Sequence, residues 1–273
     1  MGRRIINRRP SRGGRIAWGA APFILAIAAY FIFSALRLAE NPNDKLLPGL
    51  MAFGDAIHRM AFARDMRTGD ILLWVDTLAS LRRLLMGLAV ATMLGLIFGV
   101  ATGVIPYIRA GLSPFIAVVS MIPPMAVLPI LFIVFGLDEL SKVVLIVVGI
   151  TPFLIRDLAL RVGDIPGELL IKAQTLGAST WQIILRVVLP QIAPRLADAI
   201  RLSLGPAWLF LISAEAIAAT DGLGYRIFLM RRYLAMDVIL PYVAWITLLA
   251  FLMDWALRLF SRRFFPWAAS ERS

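Results

Sequence analysis

The chain has 273 residues, 60% of them hydrophobic, with a mean hydropathy of +0.83; a soluble domain of this length could not bury so much apolar surface, so the natural solvent is a bilayer. Its 28 Lys and Arg outweigh 17 Asp and Glu, but they lie between long apolar runs rather than on one face, which points to membrane orientation and away from nucleic acid. With no Cys and a single His, His58, there is no disulfide framework, no metal cluster and no Cys–His nucleophile.

Residues 1–15 form a basic tail with six Arg, from Arg3 to Arg15. Ile16 to Leu36 is uncharged and matches the roughly 20 residues needed to cross a hydrocarbon core. It exceeds the about 7–15 residues of a signal-peptide core, so it reads as span one. Residues 37–75 turn polar around Pro42, Pro48, Gly49 and Gly69, and the mixed stretch Leu46 to Phe62, with His58 on it, predicts an amphipathic surface helix within an external loop.

The uncharged run between Arg83 and Arg109 predicts span two, and Gly87, Ala91, Gly95, Gly99 and Gly103 recur in it at every fourth position. Small residues at that period line one helix face and allow another helix to approach closely, so Gly95, Gly99 and Gly103 are expected to pack a neighbour. From Ala110 to Leu137 the chain is again uncharged but carries Pro114, Pro123, Pro124 and Pro129. Each interior Pro removes a helical hydrogen bond, and at membrane depth the freed carbonyls need protein or water. The break at Pro123, Pro124 and Met125 is therefore a candidate lining of a solute pathway, with a plain kink in a packed helix as the alternative.

A charged corner, Asp138 to Lys142, leads into span four at Val143 to Ile155, and Ala199–Ala219 and Val238–Leu257 supply spans five and six. The fold class is thus all-α integral membrane, with a spanning domain over 16–260 and a tail over 261–273. Six spans put both termini on one side, and the six Arg ahead of span one choose the cytoplasm.

Residues 156–198, between spans four and five, carry too many charges for hydrocarbon. Pro166 and Glu168 open a short helix with Leu169, Ala173 and Leu176 on one face, and Gly177 stops it. Ser179-Thr180-Trp181-Gln182 has the capping-box form and opens a second helix with Trp181, Ile184, Leu185 and Val188 at helical spacing, which Leu189-Pro190 is expected to close. Such a pair either presents a knob to another protein or lies on the membrane surface.

The stretch Ala173-Gln174-Thr175-Leu176-Gly177-Ala178-Ser179, followed by Val187 and Leu189-Pro190, resembles the EAA loop of permease subunits of binding-protein-dependent ABC importers, with Ile171 and Lys172 standing where that pattern has Glu and its first Ala. Ala214-Glu215, then Gly222-Leu223-Gly224-Tyr225, looks like the A-E…G-L-G-Y signature of the nitrate, sulfonate and taurine branch. So does Pro123-Pro124 with Leu128-Pro129, Phe135-Gly136, Glu139 and Lys142. The likeness covers about Leu78 to Phe260.

The resemblance implies an inner-membrane subunit forming half of a pathway for a small polar solute, paired with a second permease copy and served by a periplasmic or lipid-anchored binding protein. A separate ATPase would use ATP and Mg, and this chain would bind no cofactor and catalyse nothing. Lys172, Ala173, Gly177, Ala178, Ser179, Trp181, Leu189 and Pro190 would belong to the cytoplasmic helical coupling loop between spans four and five that docks on the ATPase. The solute itself is not readable, since branch members handle sulfonates, taurine, nitrate and other small compounds.

Independently of the resemblance, a phosphate-cradling P-loop needs a Gly-Lys pair, and Lys45, Lys142 and Lys172 follow Asp44, Ser141 and Ile171. An ion-coupled carrier would show paired ionisable groups at mid-membrane or an internal repeat, and an integral-membrane enzyme a nucleophile–base pair. Glu215 is the acidic residue to explain, because a carboxylate deep in a span is costly. Two readings stay open for it: lining the pathway, or a structural pairing with Arg226. Asp198 and Arg201 read as an interfacial pair.

Overall fold

The computed structural model describes residues 10–42, 44–66 and 68–269. Every regular element among the described residues is helical: α1 (Arg12–Glu40), α2 (Leu50–Ala61), α3 (Leu72–Val104), α4 (Pro106–Val119), α5 (Pro124–Phe135), α6 (Glu139–Gly163), α7 (Gly167–Thr175), α8 (Thr180–Ile183), α9 (Leu189–Ala218), α10 (Leu223–Arg231), α11 (Met236–Phe264) and α12 (Pro266–Ala269). Five of these helices, counting α8 and α9 as one, are long and apolar enough to cross a bilayer, and α4 with α5, bent by 94°, makes a broken sixth. The C-terminal residues 270–273 and the first nine lie outside the described residues.

The centre of the bundle is the pair α3 and α6. A Cβ on Gly87 would come 2.8 Å from Ile146, one on Gly95 2.6 Å from the Leu154 Cβ, and one on Gly99 2.8 Å from the Leu158 Cβ; Gly103 abuts Val162 in the same way. The contacts advance together along both helices, so α3 and α6 run parallel. Parallel neighbours need a return crossing between them, and the bent α4–α5 pair supplies it. Gly149 on the other side of α6 meets the Phe210 ring, which locks α9 to the same helix. Leu84, Leu145, Leu154, Leu211 and Ala214 are fully buried along these seams. Because lipid is as apolar as Leu, such close contact, rather than expulsion from water, holds spanning helices together.

A test follows from this seam. Gly95→Leu is expected to force α3 from α6 and to cost about 1–3 kcal/mol, the range for overpacking. Gly111→Leu on α4, where nothing lies within 4 Å, should leave thermal unfolding in detergent unchanged. Equal melting shifts in the two variants would refute the assignment.

Four boundaries differ from the sequence reading. Helix α6 runs from Glu139 to Gly163, so residues 156–163 of the expected loop continue span four. Helix α3 starts at Leu72, well before Arg83, so Asp76 and Arg83 lie inside a spanning helix; they are tolerated because protein groups partner both of them. Leu189-Pro190 does not close a helix. Ile184–Val188 instead forms a π turn in which the Leu189 N–H reaches the Ile184 carbonyl, and the chain runs on into α9. Pro190 has no N–H for the Arg186 carbonyl and its ring would clash there, so widening the turn keeps the helix continuous. Finally, α1 runs to Glu40, and the loop after it is short before α2 begins.

Helix α1 stands apart. Its apolar window is 0% buried, and Phe23, Ile24 and Leu25 are exposed. It is tied only near its end, where Tyr30 Oη donates to the Pro48 carbonyl at 2.9 Å and Ser34 Oγ to the Leu47 carbonyl at 2.9 Å. Arg37 pairs with Asp44, and its donated bond, with the Leu46 N–H, holds the Asp44 carboxyl below its ordinary range.

Candidate functional site: an apolar knob and a buried charge cluster

The two ends of the bundle differ in chemistry. At one end α3 and α6 stop and the α7–α8 pair projects; at the other α3, α6 and α11 begin and α9 stops.

The knob is built by two capping devices in succession. Gly177, at φ +79°, takes the left-handed conformation that L side chains resist. Its N–H reaches the Gln174 carbonyl at 2.9 Å, and the Ala178 N–H reaches Ala173 at 3.0 Å, which satisfies the last carbonyls of α7 in a Schellman turn. Ser179 then begins α8: its N–H donates to Gln182 Oε1 at 2.8 Å, and the Gln182 N–H donates to Ser179 Oγ at 3.3 Å. The local sequence therefore dictates the reversal.

Burial at the base of this pair falls on Ile183 of α8, Ile165 ahead of α7 and Val188 in the π turn, which join Val100, Val162 and Ile192 in a second small core, with Ala173 and Ala178 packed on it. Leu176 is 87% and Trp181 67% exposed, so the faces read from helical spacing are divided, and these two large apolar groups point outward. Lys172 and Gly177 are exposed too, Leu189 is half-buried within the continuous helix and Pro190 is exposed. At the span-three break Pro123 is exposed, while Pro124 and Met125 are half-buried, the latter against the main core.

The opposite end holds a cluster of charges inside protein. Asp76, Ser80 and Arg83 follow at helical spacing on one face of α3 and are each no more than 2% exposed. The Arg83 guanidinium donates to Glu215 Oε1 at 2.8 Å, to Glu139 Oε2 at 2.7 Å, to the Asp221 carbonyl at 3.0 Å and to the Asp221 carboxylate. One arginine thus joins α3, α6, α9 and the turn before α10. Glu215 is 0% exposed and also accepts from Ser80 Oγ at 2.8 Å and from the Gly224 N–H at 2.9 Å.

That turn explains the A-E…G-L-G-Y segment. Three successive N–H groups serve the cluster: Gly222 donates to Asp76 Oδ1 at 2.9 Å, Leu223 to Ser80 Oγ at 2.8 Å and Gly224 to Glu215. Gly222 sits at φ +113°, and a Cβ there would come 2.6 Å from the Glu215 carboxyl; one on Gly224 would come 2.6 Å from the Ile212 carbonyl. Neither position has room for a side chain.

Of the two readings open for Glu215, the pairing with Arg226 is replaced. Arg226 donates to Asp76 Oδ2 at 2.8 Å, and Tyr242 Oη donates to the same oxygen at 3.1 Å, whereas Glu215 takes Arg83. Burial alone would lower the Arg226 pKa, but the hydrogen bond and charge of Asp76 outweigh it and hold it above its ordinary value. Asp198 does pair with Arg201, at 3.2 Å, and Asp254 takes Arg201 at 2.8 Å. Sequence reasoning missed Asp76 and Arg83, although the polar i, i+4, i+7 series on an otherwise apolar helix was visible.

Related sequences and a similar arrangement of helices occur in known proteins. Residues 91–266, well over half of the chain, match the family described as binding-protein-dependent transport system inner membrane component. The chain belongs to this family. It is an ABC importer permease, a transport subunit of the inner membrane, and ATP hydrolysis resides in a separate subunit. The permease is 37% identical over 198 residues, 72% of each chain, to the taurine transport system permease protein TauC of Escherichia coli. It is 30% identical over 192 residues, 70% of this chain and 69% of the other, to the putative aliphatic sulfonates transport permease protein SsuC of Bacillus subtilis. The nitrate import permease protein NrtB of Synechococcus elongatus matches at 31% over 156 residues, 57% of this chain and 56% of the other. In fold the permease is similar to a chain of the inward-facing MetNI methionine ABC transporter, with TM-score 0.62 at 22% identity, covering 70% of this chain and 95% of that one. A bacterial alginate ABC importer gives 0.62 at 15%, covering 92% and 97%.

Proposed function

We propose that two copies of this permease enclose a pathway for a small sulfonate of the taurine class, and that the α7–α8 knob is the cytoplasmic surface on which the ATPase subunit docks. The single observation that carries the coupling role is the exposure of Leu176 and Trp181 on a rigid, doubly capped projection. Large apolar groups on a preorganised protrusion are what a partner's groove can seat with little ordering cost. Lys172, Ala173, Gly177, Ala178 and Ser179 shape that projection, while Leu189 and Pro190 pass motion of the knob into α9 through the π turn. The second copy is supported by α1, whose apolar faces find no cover in their own subunit. The sulfonate class is supported by the relatives' names, taurine first.

With the knob in the cytoplasm, both termini lie there too, residues 37–75 lie outside beside the charge cluster, and the periplasmic or lipid-anchored binding protein delivers solute to that end. Pro123, Pro124 and Met125 line the pathway at the broken span. Glu215 acts differently from a lining residue: its fully partnered carboxylate holds the outer ends of α3, α6 and α9 together. The ATPase, not this chain, uses ATP and Mg.

The chain has no cysteine, which makes a direct test simple. In right-side-out vesicles a membrane-impermeant maleimide is expected to label Thr68→Cys and to spare Gln174→Cys until the membrane is opened. The reverse pattern would put the knob beyond reach of any cytoplasmic ATPase. Uptake of labelled taurine by vesicles holding the whole complex tests the solute class.

A further inference from the structure

Ionised side chains inside spanning helices are costly, and this permease partners nearly all of those described. Arg83 meets three carboxylates, Lys142 lies 3.4 Å from Glu139, Arg161 3.6 Å from Asp157, and Arg258 2.7 Å from Asp254. Arg156 breaks the pattern. It lies on α6 two turns before Gly163, roughly 10 Å from that end of the helix, and among the described residues no carboxylate is within ion-pair range; the adjacent Asp157 turns to Arg161. Its one hydrogen bond among the described residues is Nη1 donating to Ser120 Oγ at 3.0 Å. That hydroxyl donates in turn to the Ala117 carbonyl at 2.9 Å, so it can only accept from the guanidinium and fixes its direction.

Arg156 stands on the wall shared by two cavities. One, of 370 Å³, follows the break in span three and includes Ser120, Pro124, Phe153 and Asp157, whose charge is met by Arg161. The other, of 480 Å³, extends toward the knob end and includes Thr102, Arg109, Ser113 and Asp164. Thr102 is 3% exposed and its hydroxyl has no partner among the described residues. Arg109 is held at the end of α3 by two bonds, to the Thr102 and Gly103 carbonyls, whereas Arg156 spends one N–H on Ser120 and keeps the larger share of its donors for a ligand. Helix α5 starts at Pro124 in the same wall without a side-chain cap, so the positive end of its dipole adds to the field of Arg156.

We infer that Arg156, positioned by Ser120, is an anion-binding station of the translocation pathway that takes the sulfonate group of the solute where the broken span opens the bundle. A planar guanidinium with free N–H groups matches two oxygens of an oxoanion. Because the group is exposed on the cavity wall, the contact is loose enough to be released, as conduction requires. The inference rests on the proposed transport of a sulfonate.

The test uses proteoliposomes containing the permease, its ATPase and the taurine-loaded binding protein. Arg156→Gln is expected to lower the initial rate of labelled taurine uptake by about 10-fold or more, the scale for losing a charge-assisted contact. Arg156→Lys, which keeps the charge without the fork, should lose less, and Ser120→Ala less again. In all three variants, copurification of the ATPase and binding-protein-stimulated ATP hydrolysis should stay within about 2-fold of the parent. Unchanged uptake in Arg156→Gln overturns the station. So does a fall in ATP hydrolysis in step with uptake, which would make Arg156 part of the scaffold. If the parent complex takes up no taurine, the functional reading itself fails and the station falls with it.

Discussion

Arg83→Met is expected to lower the stability of the detergent-purified permease by about 3–5 kcal/mol, the cost of leaving a buried charge without its partner. Glu139 and Asp221 are both about two-fifths exposed and can turn to water, but Glu215 is 0% exposed and keeps only the Ser80 hydroxyl and the Gly224 N–H. Glu215→Gln should cost less. Arg83 retains two carboxylates, yet Arg83 and the Gly224 N–H donate to different oxygens of Glu215, so an amide sets its NH₂ against one donor, about 1–3 kcal/mol. The double variant Arg83→Met with Glu215→Gln is then expected to be more stable than Arg83→Met alone. The amide oxygen accepts from Gly224, its NH₂ faces the vacated side, and no buried charge is stranded. Thermal unfolding followed by loss of the monodisperse peak reads all three. A double variant whose loss equals the sum of the single losses would mean that the pair is not coupled.

On the knob, Trp181→Ala is expected to weaken ATPase binding by 30-fold or more, since aromatic anchors seated in a partner's groove are worth about 2 kcal/mol or more, and Leu176→Ala to weaken it by less. Both side chains project away from their own subunit at 67% and 87% exposure, so melting in detergent should not change. Tyr233→Ala, 65% exposed at the opposite end, is the matched control and should bind the ATPase as the parent does. Gly177→Ala asks a different question. A left-handed Ala costs about 1–2 kcal/mol, so the variant should keep its bound apolar anchors but present them at a shifted angle. Uptake should then fall more than ATPase binding does. Capture of the ATPase on immobilised permease measures the first effect, and binding unaffected by Trp181→Ala would remove the knob from the docking surface.

Much of the architecture was legible because it is written in local pattern. The spans follow from apolar length, the α3 face from Gly every fourth residue, and the α7–α8 reversal from Gly177 and the Ser179–Gln182 capping box, all interactions between residues a few positions apart. The misreadings came where a partner lay far along the chain or where a local turn departed from ordinary α geometry. Arg83 marked a span boundary for as long as its partners were unknown, since only Glu139, Glu215 and Asp221, brought from three other segments, make a buried guanidinium tolerable. Pro190 signalled a helix end because a proline stops an ordinary α turn; a π turn, which no residue pattern here announced, carried the helix past it.

The sequence by itself determined that the chain crosses a membrane about six times, where the paired-helix knob projects and which family it resembles, because lipid imposes length and capping imposes residue type at fixed short spacing. Tertiary structure alone decided which side chains meet: that Glu215 holds Arg83 and Asp76 holds Arg226, that Leu176 and Trp181 are left outward, and that Arg156 lacks a carboxylate. Those outcomes depend on how helices from distant parts of the chain pack side by side, and contact across such a distance has no signature in the order of residues.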